Sequence, residues 1–296
     1  MGASEPAALP PLLPIARLQV GDAEAVWPLS IEAGWNQIAA DWRLMLGSGT
    51  AFGIRNPAGK WIASALAFPL GPAISWISMV LVTKPERNKG HGTRLLQRCI
   101  AEIEQAGAAV GLDATEFGRP IYLPLGFRDV YPLSRWSAPA PVRAAIDPPA
   151  GIRVRAAGPP DLARIVDYDL ARSGLQRAAV LENLLARAPH VAHVAERAGG
   201  ALAGYGLGRD GHRATHIGPV VAEDEAIGLA LVSRGLAQAG TASILDVPDR
   251  HGALRQWLQA QGASAPRGFM RMLRGAAVPA VEDGSRVFAL AGPELA

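Results

Sequence analysis

The chain has 296 residues, which at roughly 150 residues per domain suggests two domains or one large one. It is 49% hydrophobic and 19% charged, with 33 glycines and 24 prolines, a composition too apolar for a disordered chain and short of low complexity. Net charge is +3, split as 13 basic and 12 acidic residues up to Asp147 and 16 and 14 after it, so neither half carries the clustered excess of a nucleic-acid binder.

The first 14 residues are rich in Pro and Ala and read as a loose tail. They hold no basic residue, and Pro10, Pro11 and Pro14 interrupt the apolar stretch, unlike a signal peptide. Structure should begin near Ile15. Asp22 is placed to cap a helix from Ala23 to about Ser30. A second helix is expected over Gly34–Leu46, with Trp35, Ile38, Trp42 and Met45 at helical spacing. Strands are expected at Thr50–Arg55 and Trp61–Phe68, then at Ile74–Val82, which is apolar on both faces and so reads as central. A helix from about Gly90 to Gln105 buries Leu95, Leu96, Cys99, Ile100 and Ile103. Val110–Asp113 is a strand, Arg119–Leu125 a short helix ended by Gly126, and Phe127–Trp136 a last strand. Residues 137–150 (SAPAPVRAAIDPPA) have no periodicity and read as a linker.

The second half repeats this order. Helices are expected at Asp161–Ser173 and Ala178–Ala188, and strands at Val191–Arg197, Ala201–Arg209 and Arg213–Val221. The pairs Gly199-Gly200 and Asp210-Gly211 mark tight turns. A helix at about Glu223–Ala239, a strand at Ser243–Val247, a helix at His251–Gln261 and strands at Phe269–Arg274 and Arg286–Leu290 complete it. The same order twice implies an internal duplication of one α/β unit with a mixed sheet.

One stretch carries chemistry. A buried strand ends at Val82, a Pro-containing loop follows, and Arg87-Asn88-Lys89-Gly90-His91-Gly92 leads straight into a long amphipathic helix. A helix N-terminus leaves unpaired amides and a partial positive charge, which together form an anion cradle. Glycines at 90 and 92 let the backbone approach a diphosphate, and Arg87 and Lys89 add charge. The six-residue pattern is weak by itself; its place on a strand–loop–helix junction is what gives it weight.

With that placement, VLVTKPERNKGHGTRLL resembles the acetyl-CoA signature of the GNAT superfamily of acyl-CoA-dependent N-acyltransferases. A second element agrees: LDATEFGRPIYLPLGF, in which Tyr122 stands four residues before Gly126, is similar to the later GNAT segment with a tyrosine ahead of Gly-Phe. The stretches AGWNQ, HIGPV and FALAGPEL extend the likeness to tandem-repeat GNAT proteins. The resemblance implies two tandem GNAT-like domains, a catalytic one at 15–136 and a degenerate one at 151–296. It implies acetyl-CoA as co-substrate, with pyrophosphate on the amides of Arg87, Asn88, Lys89, Gly90, His91, Gly92 and Thr93 and pantetheine beside Val80, Leu81 and Val82. It implies that a neutral amine attacks directly while Tyr122 protonates the departing thiolate, a transfer suited to a phenol whose pKa is near 10. The general base stays open among Glu32, Asp41, Glu116 and a water chain.

In the family the first two helices wall the acceptor pocket, and the candidate substrate residues are Glu32, Trp35 and Trp42 there with Trp76 on the strand Ile74–Val82; core packing is the competing reading for the tryptophans. His91 faces the loop by position, the alternative being a solvent-exposed residue. The second half departs from the pattern: after Val221 come Ala222-Glu223-Asp224-Glu225, with no Gly pair or cation, and Leu258 stands where a tyrosine would. Carboxylates there stabilise a helix start and repel a diphosphate. The second domain is therefore expected to support the first or shape its acceptor site. No metal is expected, since no carboxylate-bearing helix motif accompanies the histidine pairs His190/His193 and His212/His216. The single cysteine excludes an internal disulfide. The expectation is a cytoplasmic N-acetyltransferase, monomer or homodimer, acting on a small-molecule or amino-acid-like amine, without nucleic-acid or membrane partners. The alternative is a non-catalytic acyl-CoA-binding sensor.

Overall fold

The computed structural model describes residues 12–139, 142 and 145–296. Positions 1–11 of the expected tail, and 140, 141, 143 and 144 of the expected linker, lie outside the described residues. The first half runs β1 (Ile15–Arg17), α1 (Ala23–Glu32), α2 (Ala39–Ser48), β2 (Thr50–Arg55), β3 (Trp61–Pro69), β4 (Ile74–Val82), α3 (His91–Gln105), β5 (Ala109–Thr115), the single turn α4 (Arg119–Tyr122) and β6 (Arg128–Ala138). The second half runs β7 (Ile152–Ala156), α5 (Leu162–Ser173), α6 (Ala178–Arg187), β8 (His193–Arg197), β9 (Leu202–Arg209), β10 (Thr215–Ala222), α7 (Glu225–Ala239), β11 (Ser243–Pro248), α8 (Gly252–Ala260), β12 (Ser264–Arg274), α9 (Pro279–Asp283) and β13 (Val287–Ala289). The stripe expected on α3 is buried at all five positions, and β4 is covered on both faces.

The thirteen described strands form one mixed sheet in the order β1-β2-β3-β4-β5-β12-β6-β11-β10-β9-β8-β7, with β13 added to β10. The two halves exchange their last long strands. β12 pairs with β5 from Phe269 opposite Thr115 to Arg274 opposite Val110, and β6 pairs with β11 from Ala138 opposite Ser243 to Leu133 opposite Pro248. In the middle β6 and β12 pair with each other, antiparallel. Without this exchange β5 and β11 would each present a row of unpaired backbone groups at a sheet edge. The exchange also corrects the linker boundary. Ser137 and Ala138 are the end of β6, because their backbone partners Ile244 and Ser243 lie in the other half.

The helix expected over Gly34–Leu46 is a second correction. Gly34 takes a left-handed φ of 73° and the chain stays extended until α2 begins at Ala39. The cause is long range. The Asn36 side chain accepts from the amides of Arg213 and Ala214 and donates to the Ala214 carbonyl, while the Asn36 carbonyl accepts from the His212 amide. Four hydrogen bonds to the second half outweigh the modest helix propensity of this short stretch. Trp35 and Trp42 therefore lie on different segments.

One hydrophobic core crosses the junction, holding Trp42, Trp76 and Leu133 from the first half with Tyr205, Leu207 and Leu290 from the second. Buried ion pairs join the halves as well. Asp41 lies 2.7 Å from both Arg187 and Arg209, and Arg135 and Asp113 pair with Asp246 and Arg271.

Candidate active site

β4 and β5 are parallel neighbours only at their starts, from Ile74 opposite Ala109 to Trp76 opposite Gly111. Gly111 is required here: a Cβ would stand 2.0 Å from the Trp76 ring. Beyond this point the strands part. Met79 has φ 52°, a left-handed conformation that costs a non-glycine residue about 1–2 kcal/mol. The register against β3 shifts at the same place, and Ser64 Oγ donates to the Met79 carbonyl at 2.8 Å. This bulge bends β4 away from β5 and opens a wedge between them.

A cavity of about 190 Å³ occupies the wedge. Its first-half wall includes Ile77–Val80 of β4, Leu112, Asp113 and Thr115 of β5, Tyr122, and Trp35 and Gln37 from the extended segment. The opposite wall is Arg135 of β6 with Arg267, Phe269, Pro293 and Glu294 of the second half. Thr115, Arg267 and Phe269 also border a larger depression of about 600 Å³ that reaches the exposed Glu116 and Phe117.

At the far end of β4 the loop turns through Asn88 (φ 62°) and Gly90 (φ 79°) into α3. The first helical bond runs from the Arg94 amide to the Gly90 carbonyl, so the amides of His91, Gly92 and Thr93 project from the helix end. Gly90 is dictated by its φ. Gly92 is not: a Cβ there would make ordinary contact with Val82 at 3.5 Å. Its bare backbone is the form that a closely seated phosphate requires. Val80 and Val82 are half-buried and Leu81 is buried, along the strand that leads from the loop to the cavity. Arg87 donates to the Val82 carbonyl at 3.2 Å. Lys89 bonds Glu86, and this hydrogen bond holds the Glu86 carboxyl below its ordinary range. His91 is not a solvent-exposed loop residue; it is buried at the first position of α3, 3.4 Å from Glu86.

Tyr122 is half-buried on α4, its ring tilted against Phe127 at 5.8 Å. Its hydroxyl makes no hydrogen bond to another described residue, and desolvation pushes its pKa above the usual 10. Three residues expected at the acceptor pocket lie elsewhere. Trp42 is fully buried and donates to Ser30 Oγ. Trp76 is fully buried under the Arg271 guanidinium and donates to the Pro293 carbonyl. Glu32 is exposed and its carboxylate accepts from the Lys84 amide, bracing the loop. Asp41, a candidate base, is sealed in the core; burial would raise its pKa, but Arg209 and Arg187 outweigh burial and lower it. Trp35 does line the cavity.

The site includes residues the sequence reading did not single out. Asp113 is forked by Arg271 at 2.9 Å, and burial pushes its carboxyl up. Glu294 is bonded by Arg209. Gln37 and Glu294 sit inside the stretches AGWNQ and FALAGPEL, but nothing in their spacing marks a role. Arg135, Arg267 and Phe269 reach the cavity only because of the strand exchange.

The equivalent wedge in the second half is filled. β10 and β11 are parallel only at Thr215 and His216, after which β13 takes the β10 edge and the Leu290 amide bonds the Asp246 carbonyl on β11. The Phe288 ring lies against Gly228 in the first turn of α7, where a Cβ would be 2.4 Å away. Asp224 caps α7 by accepting from the Ile227 amide at 2.9 Å, so a carboxylate holds the position an anion would need. Leu258, in the tyrosine's place, is fully buried.

These features define a tandem acetyltransferase fold with one open wedge. Acetyltransferase (GNAT) domain models match residues 58–135 and 165–289, and the chain belongs to the GNAT superfamily as a tandem, acyl-CoA-dependent N-acetyltransferase. It is similar to a Bacillus subtilis (strain 168) protein described as the uncharacterized N-acetyltransferase YitH, 26% identical over 78% of this chain and 80% of the relative. Its fold is similar to that of a putative acetyltransferase from Pyrococcus horikoshii (TM-score 0.75, 17% identity, 100% of both chains). The same holds for a tandem GNAT protein from the clavulanic acid biosynthesis pathway (TM-score 0.59, 14% identity, 90% of this chain and 100% of that one). Among the described residues no helix is long and apolar enough to cross a membrane.

Proposed function

We propose that the protein moves an acetyl group from acetyl-CoA to a primary amine of a small-molecule or amino-acid-like acceptor, with the repeat at 15–136 catalytic and that at 151–296 in support. The observation that carries this reading is the position of Tyr122, an unbonded phenol on the wall of the wedge whose strand β4 leads from the Arg87–Thr93 helix entry. The projecting amides of α3 and the bare Gly92 fit a diphosphate. Val80–Val82 would flank the pantetheine arm. Acetyl-CoA supplies the thioester carbonyl that the amine attacks. Tyr122 holds its proton at neutral pH and is placed to give it to the departing sulfur. The filled second wedge supports a single catalytic site per chain.

Calorimetry with CoA and acetyl-CoA, followed by thiol release over a panel of amines, tests the proposal. Release that saturates with amine supports it. Binding of acetyl-CoA with no amine-dependent release from any compound overturns it.

A further inference from the structure

The cavity wall holds a charge that group transfer does not use. Asp113 and Glu294 line it with negative charge, Arg135 and Arg267 with positive charge. Three of the four are matched within the protein: Asp113 by Arg271, Glu294 by Arg209, and Arg135 by Asp246 through two hydrogen bonds of 2.8 Å. Arg267 is not. Among the described residues no carboxylate pairs with it and its guanidinium donates no hydrogen bond; it lies over the Phe269 ring, 4.9 Å from the centroid. Its partner across the β6–β12 ladder is Arg135, a second cation. Burial and Arg135 disfavour its charge and outweigh Asp246, which favours it without direct contact and is already paired with Arg135. A half-buried guanidinium fork with no acceptor among the described residues has the geometry to take a planar anion.

Elsewhere on the wall, two buried side chains lack partners of a different kind. Gln37 and Ser78 are 3% and 8% exposed, and Gln37 Oε1 and Ser78 Oγ have no hydrogen-bond partner among the described residues. Both residues line the same cavity. Buried polar atoms left open in this way call for a ligand group to pair with them. An amine N–H matches both oxygens. The volume of about 190 Å³ falls below the ~300–1,000 Å³ of sites for drug-sized ligands, which suits a small acceptor.

We infer that the acceptor is a small amine that also carries a carboxylate, its anion forked by Arg267 and its amine at Gln37 and Ser78. This rests on the transferase reading above and narrows it. The chemistry follows from the direct transfer: the amine nitrogen forms the new amide bond as the thioester C–S bond breaks, and the carboxylate is unchanged. Arg267 is thus a binding residue that selects among amines.

The test compares matched triplets for several side chains: an amino acid, its carboxamide and its decarboxylated amine. Leucine, leucinamide and 3-methylbutylamine form one such set. Thiol release gives kcat/KM, normalised to the free-base fraction of each amine. The acid of the best triplet should exceed both neutral partners by at least about tenfold, a ratio within reach of one charged contact. Arg267→Gln should abolish that preference through KM, and Arg267→Lys should restore part of it, with thermal melts confirming that each variant folds. If a variant fails to fold, the wild-type triplets decide alone. Neutral amines that match or beat the acids in every triplet overturn the inference and leave the transferase intact. Bound acetyl-CoA with no release from any amine overturns both.

Discussion

Replacing Tyr122 with Phe removes one oxygen and nothing else from the site. Because that hydroxyl bonds no described residue, the substitution leaves no orphaned partner, and stability should change by less than about 0.5 kcal/mol. The packing of the ring on Phe127 is kept. A positioned general acid contributes typically 10²–10⁴-fold, which is about 2.7–5.4 kcal/mol of barrier. The expected result is a kcat at least about 100-fold lower at saturating acetyl-CoA and amine, with CoA affinity by calorimetry and melting temperature close to wild type. The pH profile gives a second check. Desolvation raises the phenol above 10, so the protonated form needed for catalysis persists through pH 10 and the wild-type kcat should show no alkaline fall below that value. A Tyr122→Phe enzyme with kcat within about threefold of wild type, or an alkaline limb near pH 8 attributable to this residue, would refute the assignment. Loss of CoA binding together with kcat would show a structural role instead.

The two loop glycines should separate stability from affinity. Gly90→Ala strains a φ of 79° and should cost about 1–2 kcal/mol in thermal or urea unfolding, whereas Gly92→Ala meets only ordinary contact and should melt near wild type while raising the acetyl-CoA KM by about tenfold, roughly 1.4 kcal/mol. Asp41→Asn leaves Arg209 and Arg187 short of a buried partner and should cost about 3–5 kcal/mol by urea titration. Because the folded Asp41 pKa lies below its unfolded value of 3.8, its contribution is present above that pH and lost as pH falls further; the variant should show a shallower acid dependence below pH 4. Cys99 is buried in α3 and desolvation pushes its pKa to about 12, so thiol reagents should label it only in denaturant. A fragment ending at residue 139 would lose β12 from the β5 edge and Arg267, Phe269, Pro293 and Glu294 from the cavity wall, and circular dichroism and amide NMR should show it unfolded or aggregated.

How much of this was legible beforehand differs from element to element. α3 could be read residue by residue, since five apolar side chains at helical spacing leave one way to bury the face. The β4–loop–α3 junction and the short helix that carries Tyr122 were equally plain, because the glycines and the tyrosine segment are local in sequence. The segment around Trp35 has helical spacing but is not helix, because the hydrogen bonds that hold Asn36 come from Arg213 and Ala214, far along the chain. For Trp42 and Trp76 the sequence left pocket and core both open, and packing against side chains of both halves decided for core.

The sequence alone determined the repeat, the glycine-bearing helix entry in the first half and the acidic one in the second, all properties of short contiguous segments whose backbone preferences and charge act locally. Only the tertiary structure decided what faces the acceptor. The exchange of β6 and β12 sets Arg135 and Arg267 opposite each other, and the segment that fills the second wedge with Phe288 goes on to place Glu294 in the first. Such contacts arise from satisfying sheet edges and burying apolar faces over the whole molecule, and no local spacing encodes them.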